Sequence, residues 1–177
     1  MNKKVLLLVI VSSMMILPIK MWADGLDSEE EKEELKKLNE ESKDMFEVMK
    51  KAIDESYNAN SGENISGGME HNQIKGIRFT HRLKKHPVCL TSEGILSVEM
   101  EKVLNSMPNN RDVKAEIVLE INEKHPISEK LKSLYVENKE DLKKYAQILY
   151  SQARLIEGLP VENPTELSNL ICKIMTK

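Results

Sequence analysis

The sequence predicts an α+β fold: a small sheet with helices, in which the last two helices form a dimeric four-helix bundle with those of a second copy. Three observations predict it. Residues 116–121 alternate, with Ile117, Leu119 and Ile121 on one side, as in a strand with one buried face. The chain ends in two well-marked amphipathic helices. A charge-dense segment near its start has the apolar spacing of a further helix.

Composition excludes several classes of protein. The chain has 177 residues, 31% of them charged, with a net charge of −3, which gives no reason to expect nucleic acid as a partner. Two cysteines are too few for a disulfide framework or a cysteine-rich zinc site. The glycine-rich motifs of nucleotide-binding loops are missing from the sequence. A self-sufficient nucleotide-dependent enzyme is therefore disfavoured.

Residues 1–23 differ from the rest of the chain. A basic start and an apolar run are typical of a secretory signal, although Met21 occupies a position where a small residue is expected. The run is also short for a membrane span, which needs about 20 apolar residues. Three interpretations stay open: a signal peptide, a short membrane anchor, or a spurious segment read upstream of a truncated gene.

Residues 24–56 are predicted to contain an acidic amphipathic helix. Ser28 and Glu31 have the spacing of a capping box at its start. Its apolar residues form one thin stripe over 28–55, so we expect a mostly solvated and loosely attached helix. Residues 57–73 are rich in Asn, Ser and Gly, which predicts a flexible loop.

Residues 74–177 have the pattern of a compact α+β domain. Strands are predicted at 74–79, 87–91 and 117–121, and a short helix follows Ser97. Another helix begins at Pro126, and two more run over about 139–157 and 164–175. Their N-caps are Asn138 and Asn163, and Gly158 is the C-terminal stop of the first.

Potentially reactive side chains form no catalytic or metal-binding pattern. The four histidines are not at ligand spacing, and we interpret them as surface or turn residues: His71, His81, His86 and His125. Cys89 and Cys172 are predicted to be inert buried thiols. We therefore predict no catalytic, cofactor-binding or metal-binding residue.

Two apolar surfaces are more informative. The helix over 139–157 is apolar over more than the roughly 100° that one buried face requires. The residues alone favour two interpretations equally: burial of both faces within the chain, or pairing with a second copy as a four-helix bundle. The seam of such a bundle is predicted at Leu149, Leu155, Ile156, Leu170, Ile171 and Ile174.

The second apolar surface lies on the helix after Ser97. Its apolar side chains recur at helical spacing, and the set includes a flexible methionine suited to varied partners: Leu96, Met100, Val103 and Leu104. An ordinary core face has the same spacing. The sequence alone does not separate a binding surface from a core face here.

Three stretches carry a resemblance to a known family: IRFTHRLKKHPVCLTSEGILSVEMEKVLNSMP, AEIVLEINEKHP and KKYAQILYSQARLIEGLPVENPTELSNLICKIM. From residue 28 onwards the chain resembles the C-terminal domain of the heat shock protein 90 family, in its bacterial HtpG form and most closely the clostridial branch. The blocks occur in the order and spacing of that domain. Residues 1–23 have no counterpart at this place, and the loop over 57–73 is longer than the family's usual connection.

The resemblance implies an ATP-dependent chaperone of the stress response that acts on unfolded proteins. In the family ATP binds to an N-terminal domain, which we do not expect in this chain, so we predict neither a cofactor nor enzyme activity here. The last two helices would form a homodimer, or a heterodimer with a full-length HtpG-type chaperone. Client proteins would contact the short helix at Leu96, Met100, Val103 and Leu104.

The resemblance also implies a cytoplasmic location, whereas residues 1–23 leave export or membrane anchoring as an alternative. We therefore expect a truncated HtpG-type chaperone that dimerises and binds unfolded proteins without the ATP-binding domain. The alternative is a membrane-tethered or exported interaction module derived from the same domain.

Overall fold

The computed structural model describes residues 28–60, 74–107, 115–161 and 163–176. Of these, residues 28–36 belong to one compact unit and residues 37–176 to a second, and each is described by itself. The predictions for residues 1–23, and for 61–73 of the expected loop, lie outside the described residues. Within the described ranges, every helix is too short or too polar to cross a bilayer.

The described residues form six helices and three strands, which agrees with the predicted α+β class. Their order is α1 (Glu29–Glu41), α2 (Lys43–Asn60), β1 (Ile74–Thr80), β2 (Val88–Glu93), α3 (Val98–Asn105), β3 (Glu116–Asn122), α4 (Pro126–Glu137), α5 (Lys139–Ile156) and α6 (Pro164–Met175). The dimeric bundle concerns a second copy and stays a prediction.

The predicted N-caps are confirmed by their hydrogen bonds. Asn138 Oδ1 accepts from the Asp141 amide at 3.2 Å, and Asn163 Oδ1 accepts from the Glu166 amide at 2.9 Å. At the start of α1, Ser28 and Glu31 bond reciprocally, as a capping box requires. These contacts span three residues, so local sequence determines them.

The acidic segment differs from its prediction in two respects. It forms two helices with a single turn residue, Ser42, between them, and α2 extends to Asn60, beyond the predicted start of the loop. In addition, α2 is firmly packed, because it lies against β1 and α5 and leaves Met49 and Ile53 almost fully buried. The expectation of a loosely attached helix is wrong for α2, because its narrow apolar stripe meets a surface that covers it completely.

The sheet has the order β1-β3-β2, with β3 parallel to β1 and antiparallel to β2. One face is apolar, and its rows cross all three strands: Phe79–Ile121–Val88 and Ile77–Leu119–Leu90. Phe46 of α2 packs edge-on against Phe79, with 5.0 Å between ring centroids. This face forms the core together with α2, α4 and α5.

The opposite face of β3 is buried as well, which corrects the prediction of one buried face. Val118, Glu120 and Asn122 point to this second face and are less than 5% exposed. Glu120 tolerates burial because Arg78 of β1 donates two hydrogen bonds to its Oε1, at 2.6 and 3.0 Å. A central strand is covered by neighbours on both sides, and a short window of sequence does not show this.

Candidate functional site

The predicted client-binding residues lie on helix α3 or just before it, and they differ in exposure. Ser97 Oγ caps the helix by accepting from the Met100 amide at 3.1 Å. Met100 and Val103 are about half exposed, whereas Leu96 and Leu104 are half-buried. Two apolar residues that flank the helix are also exposed and lie outside the predicted set: Ile95, which is fully exposed, and Met107. Met107 follows Met100 by seven residues, so helical spacing could have identified it.

The side of α3 that faces the protein is partly charged. Glu101 is only 9% exposed, and its carboxylate accepts a hydrogen bond from the Ala115 amide at 2.8 Å. Apolar side chains normally take the inward positions of a surface helix. In α3 the arrangement is reversed at its centre, where Glu101 points inward and Met100 and Val103 point to solvent.

A glycine shapes the approach to this surface. Gly94, directly after β2, has φ of +113°, a conformation that residues with a side chain rarely adopt. The turn that it allows leads directly to the exposed residue Ile95 and the cap Ser97. Strand β2 thus ends where the exposed apolar surface begins.

The second apolar surface lies on α5 and α6, and the predicted seam residues divide into two groups. Leu149 and Leu170 are buried within the chain itself. The other four keep surface available for a partner: Leu155, Ile156, Ile171 and Ile174. Met175, which the sequence prediction left out, is also largely exposed. Available surface is therefore concentrated near the C-terminal ends of the two helices.

The link between these helices is fixed by backbone hydrogen bonds. Gly158 has φ of +66°, and its amide and that of Leu159 bond to the carbonyls of Leu155 and Arg154 as in a Schellman motif. The Arg154 side chain is buried, and its Nε donates to the carbonyl of Pro160 at 2.9 Å. α6 then contacts α5. The exposed residues of both helices thus belong to one helical hairpin.

An ion-pair network occupies the polar face of the sheet. Arg78 bridges Glu120 of β3 and Glu93 of β2, and Lys75 pairs with Glu116. The hydrogen bond from Lys75 to Glu116 raises the pKa of that lysine. Each of these charged side chains is paired with one of opposite charge, so we assign the network a structural role.

The described histidines and cysteines make local structural contacts or lie apart from one another. His125 caps α4 with Nδ1, which accepts from the Ile127 amide at 3.2 Å, and His81 Nε2 lies 3.5 Å from Glu123. Burial, followed by the nearby Glu120 charge, raises the pKa of Cys89 to about 11. Cys172 is exposed and Cys89 is half-buried, which corrects the predicted burial of both thiols. Within the described ranges, no three His, Cys, Asp or Glu side chains could hold a metal ion, and His71 lies outside them.

The amino-acid sequence of the chain matches a protein family. Residues 19–177 fit the family model described as Hsp90 protein. The chain therefore belongs to the Hsp90 family, as its sequence resemblance indicated.

Individual relatives narrow the match to one bacterial type. The chain is 46% identical over 151 residues to "Chaperone protein HtpG" of Clostridium botulinum (strain Langeland / NCTC 10281 / Type F). It is 43% identical over 150 residues to the protein of that name from Clostridium acetobutylicum, and 40% identical over 151 residues to the one from Bacillus subtilis (strain 168). Each match covers 85% of this chain and 21% of the relative. The chain thus spans about a fifth of the length of these relatives.

Proposed function

We propose that this chain is a dimerisation and client-binding module of an HtpG-type chaperone. The observation that carries the proposal is the solvent-facing apolar side of α3, at Met100 and Val103. Single exposed apolar side chains are common on protein surfaces, but Met100 and Val103 are neighbours at helical spacing, and a contiguous exposed apolar group is typical of a contact surface.

The chemistry of α3 suits partly unfolded proteins. Its exposed apolar side chains include Met100, and methionine adapts its shape to different apolar partners. Short apolar segments that a folded protein would bury are therefore the expected ligands. Each contact is small, so we expect weak and unselective binding.

Pairing through α5 and α6 would increase this binding. A symmetric dimer holds two copies of α3 on one particle, and two weak contacts with one unfolded chain give a higher apparent affinity than one. The exposed side chains of Leu155, Ile156 and Ile171 support such pairing, since water is excluded from them only if a partner covers them. The partner would be a second copy or a full-length HtpG-type relative.

We further propose that client binding by this chain needs no ATP, because the sequence contains no nucleotide-binding motif. A full-length partner in a heterodimer would supply ATP binding. We propose a cytoplasmic location, as the family resemblance implies. Fractionation of cells and N-terminal sequencing of the native protein test this location, and recovery in the membrane or culture medium would favour the exported alternative.

An aggregation assay without nucleotide tests the proposal. The full chain should slow the aggregation of a thermally unfolding protein when present at similar concentration. The double variant Met100→Ser and Val103→Ser should lose most of this effect and remain folded, because both side chains are already half exposed. Leu104 is less suitable for substitution, since it is half-buried.

A matched control uses another exposed apolar residue. Val136 lies near the end of α4 and is 84% exposed. Val136→Ser should leave aggregation suppression unchanged. If the control and the double variant lose suppression equally, or if the wild type has none, α3 is not a client-binding surface.

A further inference from the structure

We infer that Glu101 is a positioning residue, which holds α3 with its apolar side towards solvent through the hydrogen bond that its carboxylate accepts from the Ala115 amide. This inference rests on the proposed function and deepens it, because it names the contact that keeps the client-binding surface displayed.

The first step concerns the stability of α3 by itself. The helix has eight residues, and isolated helices shorter than about 12–15 residues are marginal in water. Its position must therefore come from contacts with the rest of the chain. Among the α3 side chains that the structure describes, Met100 and Val103 face solvent, and Glu101 and the half-buried Leu104 lie on the inward side.

The second step concerns the chemistry of the inward side. The bond from the Ala115 amide to Glu101 Oε2 is 2.8 Å long and buried, and Ala115 itself is 6% exposed. A hydrogen bond to a charged acceptor is stronger than one between neutral groups, and leaving a buried amide without it is costly. The bond joins α3 to the residue directly before β3, the central strand of the sheet.

The third step concerns orientation. The bond from the Ala115 amide stabilises the inward carboxylate of Glu101. Rotation of α3 to bury Met100 and Val103 would break this bond and leave the buried amide without this acceptor. An apolar residue at position 101 would permit several packings. The acidic residue selects one of them, the one with the apolar side outward.

Amide hydrogen exchange on the full chain tests the inference. We expect Glu101→Ala to raise exchange at the Ala115 amide and across α3 about 10- to 100-fold, the loss that corresponds to a hydrogen bond to a charged group. Exchange in β3 and α5 should stay as in the wild type. Glu101→Gln is the matched control, because its amide oxygen can still accept the bond, and we expect about a tenth of the rise.

Binding to a permanently unfolded protein, reduced and carboxymethylated lactalbumin, provides the second measurement. Glu101→Ala should weaken this binding, and Glu101→Gln should largely restore it. Unchanged exchange in α3, an equal rise throughout the domain, or unchanged binding despite faster exchange would each overturn the inference. If exchange behaves as expected and the wild type binds no unfolded protein, the positioning role stands and the proposed client-binding function fails.

Discussion

An aspartate at Leu155 should dissociate the proposed dimer without unfolding the chain. Leu155 is 57% exposed in the single chain, so a charge there is hydrated as long as no partner covers it. In a symmetric dimer the substitution enters the interface twice, because both copies contribute the same surface. The same reasoning applies to Ile171, which is 38% exposed on α6.

The magnitude follows from the exposed surface. Complete burial of a leucine contributes roughly 1.5–3 kcal/mol, so covering the exposed half of Leu155 contributes about 1 kcal/mol per copy. A covered and unpaired carboxylate costs at least about 2 kcal/mol more per copy. For two copies the loss is at least about 6 kcal/mol, which raises the dissociation constant by about 10⁴-fold or more.

Sedimentation equilibrium at micromolar concentration measures this effect, and circular dichroism establishes that the variant is folded. Val136→Asp is a matched control, because Val136 also lies one residue before the end of its helix and is exposed. The control accounts for the cost of an acid in a last helical turn. A wild-type monomer at high concentration, or a dimer of unchanged affinity in Leu155→Asp, would refute the reasoning.

Three further predictions concern stability and reactivity. Ile53→Ala should lower the free energy of unfolding by about 2–5 kcal/mol, because Ile53 lies on the core side of α2 and is only 1% exposed. Glu47→Ala, on the exposed side of the same helix, should change the free energy of unfolding little, and urea denaturation measures both variants. His125→Ala should cost about 1 kcal/mol through loss of the α4 cap, and His125→Asn should recover most of it; equal loss in both variants in thermal unfolding would contradict a capping role. At pH 8 iodoacetamide should modify the exposed Cys172 and leave Cys89 nearly unmodified, since a pKa of about 11 keeps the Cys89 thiol protonated. Mass spectrometry of the labelled peptides measures both reactions, and faster modification of Cys89 would contradict the prediction.

Local signals were predicted well from the sequence, and signals that depend on distant neighbours were not. Asn138 and Asn163 cap helices through contacts three residues away, which any short window of sequence includes. Burial of Glu120 depends on Arg78, which lies on another strand and comes 42 residues earlier. Nothing within β3 itself indicates that its charge will be buried.

The packing of α2 illustrates the same limit. Its stripe was interpreted as too narrow for firm attachment, yet Phe46 and Met49 are buried by β1 and α5. The width of the apolar stripe limits how much surface a helix can bury. The shape of the opposing surface determines whether the stripe is in fact buried. Consequently a chain shortened to begin at Ile74 would expose that core, and dimerisation is better tested with substitutions in the full chain.

The predicted seam residues on α5 and α6 differ in burial within the single chain, and only the structure shows this difference. Leu149 and Leu155 lie six residues apart on a helix that is apolar over a wide angle, and the sequence assigned both to the partner interface. In the fold Leu149 is 4% exposed and belongs to the core of the chain, whereas Leu155 is accessible. Periodicity identifies the excess of apolar surface, but three-dimensional contacts decide which part is left over.

The two apolar surfaces are exposed for different physical reasons, and this difference determines how far each could have been predicted. On α5 and α6 apolar side chains stay exposed at the C-terminal ends of the helices, and the wide apolar stripe made such a surplus one of the two interpretations that the sequence left open. On α3 the amount is ordinary, and the exposure follows from orientation, because Glu101 takes the inward position that Met100 or Val103 would otherwise occupy. Orientation depends on the Ala115 amide, 14 residues away in the sequence. Substituting Glu101 therefore tests the display of the α3 surface without altering any apolar residue on it.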